Sequence, residues 1–114
     1  MQMTCSEVDN TLVVTVKDQR IDAAVAVRFK DNMMELTSHP AERVILDMHH
    51  VEFLDSSGLG AVVGSMKQLG RGRQLDLAAL TPSVEKVFRI TRMDRVFSIF
   101  ADVDAALSDT ADAS

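Results

Sequence analysis

Three short apolar runs, TLVVTVK at 11–17, ERVILDM at 42–48 and QLDLAAL at 74–80, constrain the fold of this chain more than any other feature. The first is rich in β-branched residues, and the second is almost continuously apolar, the pattern of a strand covered on both faces. Segments of a different period lie between them. Ala26, Phe29, Met33 and Leu36 recur at helical spacing, and so do Leu59, Val62, Val63, Met66 and Leu69. Strands alternating with helices of about 10–15 residues are joined by crossovers, which implies a largely parallel sheet.

The punctuation agrees with that reading. MQMTCSEV can pair with TLVVTVK as a hairpin across Asp9-Asn10. Asp22 precedes the first helical stripe and is placed to cap it, and Pro40 closes the segment. Gly70-Arg71-Gly72 stops the second helix. Thr81-Pro82 offers a hydroxyl cap followed by proline at the first helical position, with Val84, Val87 and Phe88 as the buried face. RVFSIF at 95–100 reads as a last short strand, and DVDAALSDTA as a final helix that frays. The expected order is β-β-α-β-α-β-α-β-α. It describes one α/β domain over residues 1–108, a mixed, mostly parallel sheet flanked by about four helices, with an acidic tail at 109–114.

A chain of 114 residues with 46% hydrophobic content can bury one core. Cys5 is the sole cysteine, so an internal disulfide and the usual thiolate zinc patterns are excluded. His39, His49 and His50 show no helical ligand spacing, and no metal is expected. MQMTCSEVDN lacks a signal-peptide pattern, and no apolar run approaches the roughly 20 residues that cross a bilayer. The cytoplasm, without membrane insertion, is the expected location.

The net charge is −5, but it is unevenly spread. Asp102, Asp104, Asp109 and Asp112 lie near the end, whereas Lys67, Arg71, Arg73, Lys86, Arg89, Arg92 and Arg95 give residues 67–95 a local positive excess. The chain has no Tyr or Trp to stack bases, and its overall charge repels phosphates. Those bases read as a solvated face, and direct nucleic-acid binding is not expected.

The chemistry concentrates in VEFLDSSGLGAVVGS, residues 51–65. Three readings compete for it. A strand-to-helix turn needs a side-chain oxygen for the first free N–H groups, yet one suffices, and Asp55, Ser56 and Ser57 supply three. A nucleotide-binding enzyme could use Gly58-x-Gly60, but Gly64 comes one residue late, and Asp76 sits inside the next strand rather than at its end. A hydrolase elbow is missing, because Leu54 stands where Ser56 would need glycine. No nucleophile, base and orienting acid assemble, so neither catalytic residues nor a cofactor are expected. The third reading is a hydroxyl displayed for modification. Beside it Ser57, Gly60, Ala61, Gly64 and Ser65 form a nearly flat stripe, suited either to the protein's own sheet or to a docking partner.

FLDSSGLGAVVGSMKQL closely resembles the signature of STAS domains in anti-sigma factor antagonists. LVVTVKDQRIDAAVAVRFKD resembles that family's second strand, acidic turn and first helix. RVILDMHHVEFLDSSG resembles its central strand, and SVEKVFRITRMDRVFSIFADVDAAL its C-terminal elements, so the likeness spans roughly residues 10–108. Lys17-Asp18-Gln19-Arg20, Arg92 and Ser98 stand in loops where the family usually has Gly, Gly and Pro. The resemblance implies partner switching, with a protein that is a monomer when free. The unphosphorylated form binds an anti-sigma factor that is also a serine kinase, phosphorylation of the serine after the aspartate ends binding, and a PP2C-type phosphatase restores it. That serine is Ser56, and the implied partner surface comprises Asp22, Asp55, Ser57, Gly58, Leu59, Gly60 and Gly64. Within the same fold, a STAS subunit of a membrane transport or lipid-export complex is the alternative.

Overall fold

The computed structural model describes residues 1–70 and 72–109. Strands β1 (Met3–Val8) and β2 (Thr11–Val16) form the expected antiparallel hairpin. Its two-residue turn puts Asp9 at φ 47° and Asn10 at φ 63°. A hairpin turn that follows the strand twist needs two left-handed residues, and short polar side chains tolerate that conformation. β2 then pairs in parallel with β4 (Arg43–Asp47), β4 with β6 (Gln74–Ala78), and β6 with β7 (Ile99–Phe100). The sheet order is β1-β2-β4-β6-β7, with only β1 antiparallel.

Helices α1 (Ala26–Leu36), α2 (Ser56–Leu69) and α3 (Pro82–Ile90) cover one face. Phe29, Met33, Val62, Val84 and Phe88 meet Val14, Val16, Val44, Leu46 and Leu77 in one core. Each such side chain contributes about 1.5–3 kcal/mol by leaving water. On the opposite face Val13, Ile45 and Ala78 pack under Ala106 of α4 (Val103–Ser108). ERVILDM is thus covered on both sides, as its pattern requires. Under α4, Arg43 Nε lies 2.7 Å from the buried Asp76 carboxylate, and Arg43 Nη1 donates to the Ala106 carbonyl at 2.7 Å.

Four local expectations need correction. Two further strands, β3 (Arg20–Ile21) and β5 (Phe53–Leu54), form a separate parallel pair. Two residues are too few to display a period. The last strand is shorter than RVFSIF, because Met93–Arg95 is a 3-10 turn and only Ile99–Phe100 joins the sheet. Asp22 does not cap α1: its Oδ1 accepts from Ala24 N at 3.1 Å, and the helix starts after Val25. Thr81 does precede α3 with Pro82 at its start, but its hydroxyl donates to the Val51 carbonyl at 2.8 Å. α4 is capped by Asp102, whose Oδ1 accepts from Ala105 N at 2.7 Å. Residues 110–114 of the acidic tail lie outside the described residues.

Candidate functional site

The small β3–β5 pair builds the site. Its register sets Ile21 beside Leu54, so Asp22 and Asp55 leave adjacent strands side by side. Backbone hydrogen bonds from Glu52 N and Phe53 N to the Gln19 carbonyl, at 2.7 and 3.1 Å, hold the strands together. Asp55 is the N-cap of α2, in extended conformation. One of its oxygens accepts from Gly58 N at 2.8 Å, and the other from Ala23 N at 3.2 Å. A single carboxylate therefore satisfies a free helix donor and ties α2 to the turn ahead of α1.

Gly58 is buried at the heart of this joint. A Cβ there would lie 2.0 Å from the Ile21 carbonyl oxygen and 2.8 Å from Leu54 Cδ1. Only glycine allows α2 to sit this close to β3. The same fact gives Gly58 a packing role that the nucleotide reading does not require. In that reading the turn's backbone must approach a pyrophosphate, whereas here Gly58 faces β3 and its N–H is held by Asp55.

Ser56 and Ser57 begin α2 and are exposed, and Gly60 is exposed with open space above it. No hydrogen bond to the Ser56 hydroxyl is found among the described residues. The small-residue stripe divides. Ala61 and Ser65 are buried, with Ser65 Oγ donating to the Ala61 carbonyl at 2.8 Å, so these two face the protein's own interior. Gly64 is half-buried beneath the Lys30 side chain of α1, and Leu59 is half-buried against the core. The inner face of α2 thus centres on Gly58, Ala61, Val62 and Ser65, while Val63, Met66 and Leu69 of the apolar stripe lie at its half-buried margin.

The contact between two residues beside the turn escaped the sequence reading. Arg20 stacks over the half-exposed Phe53 ring, 4.2 Å from its centroid, and its Nε lies 3.3 Å from the Asp22 carboxylate. Their short strands gave no signal that would have paired them. His49 lies elsewhere, its Nδ1 2.8 Å from Asp47. No cluster of three or more metal-ligating side chains is found among the described residues. No described helix is long and apolar enough to cross a membrane.

A five-stranded mixed sheet, a satellite pair of two-residue strands, and a serine displayed at the helix start they carry define a small α/β domain with an exposed hydroxyl at the start of α2. The chain belongs to the STAS domain family, which it matches over residues 2–106. It is 26% identical over 107 residues to BtrV of Bordetella bronchiseptica, a candidate anti-sigma factor antagonist, covering 93% of this chain and 91% of that protein. The crystal structure of an anti-sigma factor antagonist from Mycobacterium paratuberculosis superposes with a TM-score of 0.86 at 23% identity, over 96% of this chain and 93% of that one. The antagonist SpoIIAA in its unphosphorylated form gives a TM-score of 0.76 at 22% identity, over 97% of both chains. The phosphorylated form of SpoIIAA, a Bacillus cell fate determinant, gives 0.68 at 20% identity, over 93% of this chain and 96% of that one.

Proposed function

We propose that this protein is an anti-sigma factor antagonist switched by phosphorylation of Ser56. Unphosphorylated, it binds an anti-sigma factor serine kinase and so releases a sigma factor; a PP2C-type phosphatase reverses the modification. One observation carries the reading. Ser56 is exposed at the first position of α2, while the neighbouring carboxylate of Asp55 is already committed to two backbone donors. The hydroxyl is therefore not needed as a cap and stands open to a kinase. The phosphorylated and unphosphorylated structures of SpoIIAA support the same reading by analogy of fold.

The partner surface proposed around it comprises Asp22, Asp55, Ser57 and Gly60, with Leu59 and Gly64 at its margin. Gly58 serves this surface from beneath. Mixing the protein with its cognate kinase and ATP, then locating phosphate by mass spectrometry, tests the acceptor. In titrations Ser56→Ala binds constitutively and Ser56→Asp binds weakly. Phosphate on another residue, or equal affinity of the two variants, refutes the proposal.

A further inference from the structure

A second surface lies on the far side of α3. Lys86, Arg89 and Ile90 are exposed on that helix, and Arg92, Arg95 and Val96 are exposed in the turn that follows. Ile90 is 68% exposed and Val96 47%, the one at the end of a helix and the other at the end of the 3-10 turn. They lie six residues apart, along the end of α3 and the turn that follows it. Between residues 85 and 96 four cations face two anions, Glu85 and Asp94. That net +2 leaves −7 for the rest of the chain. Arg89 makes a 3.4 Å pair with Glu85, and among the described residues Lys86, Arg92 and Arg95 have no carboxylate within 4.0 Å.

The backbone supplies an independent sign. Arg92 follows the helix C-cap at φ 63°, ψ 17°, a left-handed conformation that glycine adopts freely and other residues seldom do. Folding stability alone favours glycine there. An arginine held in that conformation places a guanidinium between Ile90 and Arg95 in the chain, at a conformational cost.

The geometry points to Lys86, Arg89, Ile90, Arg92, Arg95 and Val96 as a docking surface for an acidic segment of a partner protein that carries aliphatic side chains. Charge complementarity selects this occupant. Two exposed aliphatics framed by cations match a peptide of alternating carboxylates and aliphatics. A nucleic acid would meet only a small excess charge and no stacking ring on this patch. An anionic membrane would have to hold a net-acidic protein on a nine-residue helix. These residues belong to α3 and the turn after it, whereas Ser56 begins α2, so the two surfaces lie on different elements.

The test uses the whole protein and an acetylated, amidated peptide of alternating Glu and Leu, with chemical-shift mapping by NMR and fluorescence anisotropy. Shifts are expected at residues 86–96. Arg92→Gly is expected to bind about two- to fivefold more weakly, yet to melt about 2–5 °C higher. Arg89→Glu with Arg95→Glu is expected to lower affinity at least tenfold. A purely structural role for Arg92 would leave peptide affinity unchanged. The inference is overturned by unchanged affinity of Arg92→Gly, or by shifts confined to other faces. It is equally overturned if vesicles containing phosphatidylserine or an oligo-dT strand bind this patch more tightly than the peptide, or if the free protein self-associates through it.

Discussion

Replacing Gly58 by alanine and Gly60 by alanine should move stability in opposite directions, although the two sites are two residues apart on one helix. At position 58 the new Cβ would fall 2.0 Å from the Ile21 carbonyl oxygen, and real Cβ contacts essentially never come under 3.0 Å. α2 and β3 must therefore part by about 1 Å, the difference between those figures. That movement stretches two bonds that are already long, Asp55 N to the Ile21 carbonyl at 3.4 Å and Ala23 N to Asp55 Oδ2 at 3.2 Å. Overpacking costs about 1–3 kcal/mol, and the two weakened hydrogen bonds add about 1–2 kcal/mol. The better helix propensity of alanine returns roughly 0.5–1 kcal/mol. Gly58→Ala is thus expected to lose about 1–4.5 kcal/mol, with a central value of about 3 kcal/mol. At position 60 nothing lies within 4 Å of the added methyl, so only the propensity gain remains, about 0.5–1 kcal/mol. Urea unfolding followed by circular dichroism reads both, with a midpoint for Gly58→Ala about 1–2 M below the parent and for Gly60→Ala slightly above it. Equal midpoints for the two variants would refute the close approach of α2 to β3.

Further outcomes follow from other contacts. Asp55→Ala removes the acceptor for Gly58 N and Ala23 N together, and should cost about 1–2 kcal/mol by thermal melting. Asp76→Ala leaves the Arg43 guanidinium largely buried without its carboxylate, and should cost about 2–4 kcal/mol, the partial exposure of Arg43 holding it below a fully buried pair. Partial burial, then the nearby Glu7 carboxylate, raises the pKa of the Cys5 thiol above its ordinary value. Alkylation at pH 8 should be slower in the folded protein than in urea. Because folding raises this pKa, the folded state binds the proton more tightly, so the small associated stability is present at neutral pH and lost as pH rises through the thiol range.

Most of the sheet and its helices were legible because their signals are local and repeated. Val44, Ile45 and Leu46 announce a strand buried on both faces, and Phe29 and Met33 announce the inner face of α1. Several of the features that were missed share a different cause, a partner distant in sequence, while Asp22 bonds only two residues ahead. Thr81 looks like a cap, but its hydroxyl goes to Val51, 30 residues back. Ala23 N is claimed by Asp55 across 32 residues, and Asp22 closes its own turn before α1 begins. Arg20 and Phe53 meet only because two-residue strands align them. At the site, the D-S-S-G turn was readable as a helix start with surplus oxygens. Which glycine was structural was not. Gly58 and Gly60 are the same letter, and only the neighbouring β3 carbonyl separates a packing requirement from an open surface.

That separation also explains how one added group could release a partner while sparing the fold. The joint of α2, β3 and the α1 turn is made by the Asp55 carboxylate and by Gly58, neither of which needs the Ser56 hydroxyl. A phosphate on Ser56 brings about −1.5 to −2 charges at pH 7. In the free domain it faces water, where the start of α2 attracts it by roughly 0.3–1 kcal/mol and repulsion from Asp22 and Asp55 is screened to a similar size. These effects nearly cancel, so a domain phosphorylated there is expected to keep its fold. Beneath a docked partner the same dianion is stripped of water beside two carboxylates, a penalty of several kcal/mol unless the partner presents a base. Even 3 kcal/mol corresponds to a loss of affinity of about a hundredfold. Under the proposed function the switch would therefore be a property of the interface, its sensitivity set by how dry the partner makes the first turn of α2.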